Sequence, residues 1–201
     1  MLPLFKKDLV ADPTIRRKML TRTSLFGRLI ISLLNYHPRP QSCRCLYPFV
    51  CKAALMAPNH FLSEPTRMYD LGPEAVEKLK GLNEDKAKMF SGVPGWMVFS
   101  VKTEHLDDQG GISSKLALED HATVACAAQN FMQSLAEDGV GTKWMTGALG
   151  IDPNEIMKVA GAPQDEKMIG VIWYGMPAKP LGELTAPKRK LTVNDVLTNV
   201  A

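Results

Sequence analysis

The chain has 201 residues, 45% of them apolar and 22% charged, a globular composition long enough for one ordinary domain with its own core. A formal net charge of +3 is too mild to argue for nucleic acid, and no apolar run approaches the roughly 18 residues of a membrane-spanning helix. Four cysteines at this length do not make a disulfide framework, so a reducing compartment, the cytoplasm, is the default location.

The first fifty residues are basic. Lys6, Lys7, Arg16, Arg17, Lys18, Arg22, Arg28, Arg39 and Arg44 face only Asp8 and Asp12. This Arg-rich, acid-poor composition is also that of transit peptides, which makes an organelle the alternative location. Phe26, Leu29, Ile30, Leu33 and Leu34 are helically spaced until Pro38 and Pro40 stop the segment. Cys43 and Cys45, with Cys51, His37 and His60, match no standard zinc spacing, and no metal site is assigned.

Pro48 is placed to open a short helix through Met56, after which Pro58 exposes Asn59 and His60 in a loop. Arg67 to Leu71 reads as a strand. Gly72-Pro73 then starts a helix with Glu74, Glu77 and Lys78 on its wet face, and Asn83 caps a second helix through Phe90. Trp96 to Val101 is apolar on both faces and bounded by Pro94 and Gly95, hence an interior strand with Trp96 in the core. Residues 107–114 are polar, with Gly110-Gly111, and form a surface loop.

Leu118, Ala122, Ala125, Ala128 or Gln129, Met132 and Leu135 recur at three- and four-residue steps, one face of a helix about 30 Å long. That face is expected to be buried. Ala122, Ala125, Ala127 and Ala128 would let another helix approach closely, and Cys126 fits as a small buried thiol. Gly139 is suited to the left-handed conformation that ends a helix.

In Gly139-Val-Gly-Thr-Lys-Trp-Met-Thr-Gly147, glycines free the backbone to approach a ligand, and Thr142, Lys143, Trp144 and Thr146 supply polar and aromatic contacts. A phosphate loop would carry Gly-Lys-Ser/Thr from a strand into a helix. Here Gly141-Thr142-Lys143 follows a helix, which rejects the nucleotide-triphosphatase reading. A plain helix cap followed by a buried strand remains open. Asp152-Pro153 starts another helix to about Val159, and Met168 to Tyr174 is a further buried strand. From Met176 onward Pro177, Pro180, Gly182 and Pro187 predict an extended tail, which carries Lys188-Arg189-Lys190. Strands and helices without strict alternation indicate an α+β fold.

Three ordered motifs resemble the FMN-dependent nitroreductases of the small, insertion-poor type. They are Ala57-Pro-Asn-His60 with Glu64-Pro65, Gln129-Asn130 with the Gly139–Gly147 run, and Gly170-Val-Ile-Trp-Tyr-Gly-Met-Pro177. The likeness runs from about Cys51 to the C-terminus. It implies a single nitroreductase-like domain over 1–201, in which 48–201 are the core and C-terminal arm and 1–47 an atypical basic segment. The implied fold is a mixed sheet flanked by helices, with a long central helix at a homodimer interface. The resemblance further implies one FMN at each end of that interface, reduced by NAD(P)H and reoxidised by a nitroaromatic, quinone or similar flat acceptor.

Carried over residue by residue, the resemblance implies that Asn59 and His60 address the partner's flavin. It also implies that the backbone N–H groups of Thr146 and Gly147 address the N5 edge of the flavin. Lys143, Trp144 and Met145 belong to the same cofactor-binding run. The nearest counterpart of the family's phosphate-holding Arg-Arg-Ser/Thr is Arg22-Thr23-Ser24, and Arg189 and Lys190 lie where a basic pair often stands near the phosphate. Thr66-Arg67-Met68 replaces the usual Trp-Arg-Phe, which removes one aromatic wall. No acid–base triad is expected, because hydride transfer is the flavin's own chemistry. The alternatives are a non-catalytic dimeric flavin-binding or interaction protein and a dehalogenase, though the loop at 107–114 is too short for the lid a dehalogenase would need.

Overall fold

The structure is a computed structural model that describes residues 43–184 and 189–200, the side chains of 43–47 excepted. Arg22, Thr23, Ser24 and Lys188, and the helix expected around Phe26 to Leu34, lie outside the described residues.

Strands β1 (Thr66–Asp70), β2 (Gly95–Lys102), β3 (Gly141–Met145) and β4 (Glu166–Gly175) form one sheet in the order β1-β2-β4-β3, each pair antiparallel. Helices α1 (Cys43–Leu55) and α4 (Lys115–Glu137) cover one face, while α2 (Pro73–Leu82), α3 (Glu84–Ser91) and α5 (Pro153–Ala160) cover the other. The fold is α+β, as the order of elements predicts.

The continuous apolar run of β2 is explained by this burial on both sides. Because successive strand side chains point to opposite faces, Trp96 and Val98 pack with Leu79, Phe90, Ile156 and Trp173. Met97, Phe99 and Val101 pack with Val50, Ala54, Ala128 and Phe131. Phe90 stands edge-on to Trp96 at 5.3 Å and to Trp173 at 6.0 Å, the arrangement aromatic quadrupoles favour. Trp96 is fully buried, as expected.

Helix α4 begins where Ser114 accepts a hydrogen bond from the Ala117 N–H at 3.0 Å, and the chain turns at Gly139 with φ of 78°. Its buried face differs from the expected one. Ala117, Asp120, Thr123, Val124, Ala127, Phe131 and Leu135 face the protomer core, whereas Leu118 is 59% exposed and Ala122 and Cys126 are exposed. The apolar stripe read from the sequence is thus split: Ala128, Met132 and Leu135 pack inward, and Leu118 and Ala122 turn outward. Two polar residues, Asp120 and Thr123, take inward places because distant loops satisfy them.

Pro48 lies inside α1 rather than at its start. Asn83 precedes α3 without capping it through its side chain. Among the described residues beyond β4 lie a 3-10 turn at Leu181–Glu183 and the single-turn helix α6 (Val193–Val196), which a Thr192–Asp195 capping box opens. Among the described residues no helix is long and apolar enough to cross a membrane.

Candidate active site

The run after α4 is first a strand. Thr142 is fully buried, and Met145, 3% exposed, belongs to the core between the sheet and α5. Trp144 packs from the α4 side over Gly170 of β4, where any Cβ would collide with its indole. Trp144 and Met145 therefore serve any ligand through position and backbone, with their side chains committed to packing. Lys143, which precedes them, is half-buried.

At the end of β3 the chain emerges. Thr146, Gly147 and Ala148 are exposed, and a Cβ placed on Gly147 would meet nothing within 4 Å. Gly147 to Leu149 form a 3-10 turn, so the first N–H groups of that turn need no partner within it. The turn is braced from α3. Lys86 Nζ donates to the Ala148 carbonyl at 2.6 Å, and Asn83 Nδ2 donates to the carbonyls of Leu149 at 3.1 Å and Gly150 at 3.0 Å. Gly150 has φ of 64°, and a Cβ there would sit 2.7 Å from Asn83 Nδ2, so glycine is required by conformation and by space. The result is an exposed backbone edge held rigid from behind, open to a flat ligand.

The second exposed element is the loop from Pro58 to Glu64. Phe61, Leu62 and Glu64 all take left-handed backbone conformations, with φ of 50°, 55° and 47°. For residues with a Cβ this costs about 1–2 kcal/mol each. Packing within the protomer does not offset that cost, since Phe61 is 83% and Leu62 79% exposed. Polar ties to α4 hold the loop: Thr123 Oγ1 donates to the Pro58 carbonyl at 2.7 Å, and Ser63 Oγ donates to Asp120 Oδ1 at 2.6 Å. His60 Nδ1 lies 3.1 Å from Glu119 Oε2, an ion-pair distance whose angles fall short of a hydrogen bond. Asn59 Oδ1 accepts from the Glu64 N–H at 3.2 Å, which leaves its amide nitrogen as a free donor among the described residues.

Both exposed elements leave the sheet in the same direction but not at the same level: Thr66 pairs with Val101 and Val101 with Lys167, whereas Met145 pairs with Val171, which is level with Val98 and Tyr69. They flank opposite edges, so three strand spacings, about 14 Å, separate β1 from β3 within one chain. Asn59 and His60 are not brought together with Thr146 and Gly147 in a single protomer. Arg189 and Lys190 are exposed on the tail.

The family model described as Nitroreductase family matches residues 50–176, a span that contains both exposed elements and every strand of the sheet. The chain belongs to the nitroreductase family. No curated protein sequence matches it. Among solved structures it is similar to a nitroreductase-like family protein from Bacillus cereus, with TM-score 0.67 and 18% identity over 90% of this chain and 97% of that one. It is similar to the nitroreductase CinD from Lactococcus lactis in complex with nicotinic acid, with TM-score 0.67 and 19% identity over 88% and 97%. It is also similar to an NADPH:FMN oxidoreductase from Vibrio harveyi complexed with NAD+, with TM-score 0.62 and 14% identity over 90% and 81%. At these identities the likeness is one of fold.

In this member of the family several residues that shape the exposed turn and loop carry no sequence signal. Lys86 reads as an ordinary helix residue and Asn83 as a helix cap, yet they brace a turn more than sixty positions away. Asp120, Ser63 and Thr123 are equally silent, because their bonds span 57 and 65 positions. Burial of a carboxylate in α4 was the detectable oddity only once the helix face was known.

Proposed function

We infer that the protein is an FMN-dependent oxidoreductase that passes hydride from NAD(P)H to a nitroaromatic, quinone or similar flat acceptor. The observation that carries this reading is the Thr146-Gly147 turn, which is exposed, has nothing within 4 Å of a Cβ built on Gly147, is braced by Lys86 and Asn83, and belongs to the run that resembles the family's flavin-facing motif. The described residues fit a flat cofactor there. When bound, FMN supplies the hydride chemistry; the chain supplies binding, orientation and charge.

Each residue then has a distinct task. The N–H groups of Thr146 and Gly147 face the N5 edge. Lys143 is the cationic candidate for the pyrimidine side, where negative charge gathers on reduction. Arg22, Thr23 and Ser24, with Arg189 and Lys190, hold the phosphate. Asn59 and His60 reach the flavin of a second copy, which agrees with their separation from the turn within one chain.

A homodimer follows from the same reading. Leu118, Ala122 and Cys126 form an outward stripe on α4, and Phe49 and Leu55 of α1 are 62% and 63% exposed. An apolar surface of this kind marks an interface.

The deciding experiment is a visible spectrum of purified protein after incubation with FMN. Retained flavin that bleaches on adding NADH or NADPH supports the reading. Protein that takes up no flavin overturns it, and flavin that neither nicotinamide bleaches leaves a non-catalytic flavin-binding dimer.

A further inference from the structure

Asp120 is 4% exposed and sits where three segments of the chain meet. Its Oδ1 accepts from Ser63 of the Pro58–Glu64 loop at 2.6 Å, and its Oδ2 lies 2.6 Å from His105 Nδ1 in the loop after β2. His105 is fixed in turn, because its carbonyl accepts from Ser114 Oγ at 2.9 Å, and the same Ser114 caps the first turn of α4. The start of the helix, the loop before it and the left-handed loop are thus joined through one carboxylate.

A buried carboxylate is a poor source of stability, since its desolvation is costly and an apolar residue of similar size is often tolerated or better. The unusual part of this site is what the carboxylate holds. Ser63 has one hydroxyl proton and two acceptors in reach, Asp120 Oδ1 at 2.6 Å and Asn59 Oδ1 at 3.1 Å. The shorter, charge-assisted contact takes the proton. Asn59 Oδ1 accepts from the Glu64 N–H at 3.2 Å and stays in contact with the Ser63 hydroxyl at 3.1 Å. Because the pinned Ser63 hydroxyl packs against Asn59 Oδ1 at 3.1 Å, its position helps to set that of the half-buried pair Asn59-His60.

We propose that Asp120 is a positioning residue: through Ser63 on one oxygen and His105 on the other, it locks the Pro58–Glu64 loop in the left-handed conformation that presents Asn59 and His60 to the cofactor of a second copy. The lock is a property of the chain itself, and only its consequence for the cofactor rests on the FMN reading above. Ser63 and His105 act on opposite oxygens, so losing either loosens the loop while leaving both sheet cores intact.

The test uses the full-length protein and two independent readouts. In flavin-free protein, amide hydrogen exchange of residues 58–65 should accelerate about tenfold or more in Ser63→Ala and Asp120→Asn. Exchange in β2 and β4 should stay as in the parent, and Ser63→Thr, which keeps the hydroxyl, should restore protection. In titrations with FMN, the same two variants should bind at least fivefold more weakly, and the double variant no worse than the weaker single one, since both break one lock. Unchanged exchange in the loop overturns the proposal, whatever happens to the flavin. A loosened loop with parent-like FMN affinity overturns the positioning role. If the parent itself binds no FMN, the functional reading fails, while the exchange data still decide the lock. Should Asp120→Asn not fold, Ser63→Ala and its threonine rescue carry the test.

Discussion

Lys86 Nζ lies 2.6 Å from the carbonyl oxygen of Ala148, across 62 positions of sequence, and so fastens α3 to the turn that ends β3. Asn83 adds two bonds to the next two carbonyls. We predict that Asn83→Ala lowers stability by about 1–2 kcal/mol, the net worth of one or two neutral hydrogen bonds. If the turn holds the flavin edge, FMN affinity should fall about fivefold in both Asn83→Ala and Lys86→Met. Thermal melts and FMN titrations separate the two effects, and a lowered melting point with unaltered affinity would make the brace purely structural.

Gly147 has open space where a side chain would begin and no left-handed φ, so Gly147→Val should fold with a melting temperature close to that of the parent. The same branched side chain would stand where the flavin ring must approach. Flavin retained on purification should therefore drop several-fold. Full occupancy in this variant would mean that the turn does not face the cofactor.

Much of this arrangement is legible in the sequence, because the signals are local. The continuous apolar run of β2, the Gly72-Pro73 and Asp152-Pro153 helix starts and the left-handed Gly139 all follow from backbone chemistry within a few residues. Asp152 does cap α5, accepting from the Asn154 N–H at 2.7 Å. The plain expectation of a buried strand after Gly139 is met from Gly141 to Met145, and the exposed part of the run starts at Thr146 and Gly147. The rotation of α4 was not legible. Hydropathy ranks Leu118 and Ala122 above Asp120 and Thr123, and only the long-range bonds to Ser63 and Pro58 reverse that order. Cys126, expected inside, is exposed for the same reason. Pro48 was placed at a helix start by its missing N–H, yet α1 runs through it, which removes one internal hydrogen bond at that point.

The outward stripe of α4 offers a direct test of assembly. Ala122 is exposed within the protomer, so Ala122→Arg should leave the fold intact while placing a charge in the apolar stripe. Sedimentation should show a dimer for the parent and a monomer for the variant. Cys126, one turn further along, should react slowly with a thiol reagent in the dimer and quickly in the Arg variant. A parent that sediments as a flavin-loaded monomer would refute the dimeric site.

Alkaline stability should report on Tyr69. Its hydroxyl donates to Glu166 Oε2 at 2.7 Å, and burial first, then this bond to the carboxylate, pushes the phenol from 10.0 up to about 12. Below pH 10 the phenol is protonated in the folded and unfolded chain alike, and the bond contributes in full. Between about pH 10 and about pH 12 only the unfolded chain releases the proton, so stability declines across that window. Denaturant melts of the parent and Tyr69→Phe across this range should converge as pH rises, the difference between them being largest below pH 10. Parallel curves would remove Glu166 as the partner that matters.

The phosphate of FMN carries nearly two negative charges and needs cationic partners. Arginine suits the task because its planar fork donates two hydrogen bonds at once, and each charge-assisted bond contributes about 1.5–3 kcal/mol. Arg189 is exposed on the tail, with no protein partner among the described residues in its reach, and so is available to a ligand. With Arg22 it is the candidate pair. Each Arg→Ala change should weaken FMN binding by roughly tenfold or more, at 1.4 kcal/mol per decade. Riboflavin provides the control, because it keeps the ring and lacks the phosphate. Its affinity should be low for the parent and nearly the same in both variants. A loss that is equal for FMN and riboflavin would mean that the arginines act on the fold or the ring, and unchanged FMN binding in both would place the phosphate on other residues of the chain.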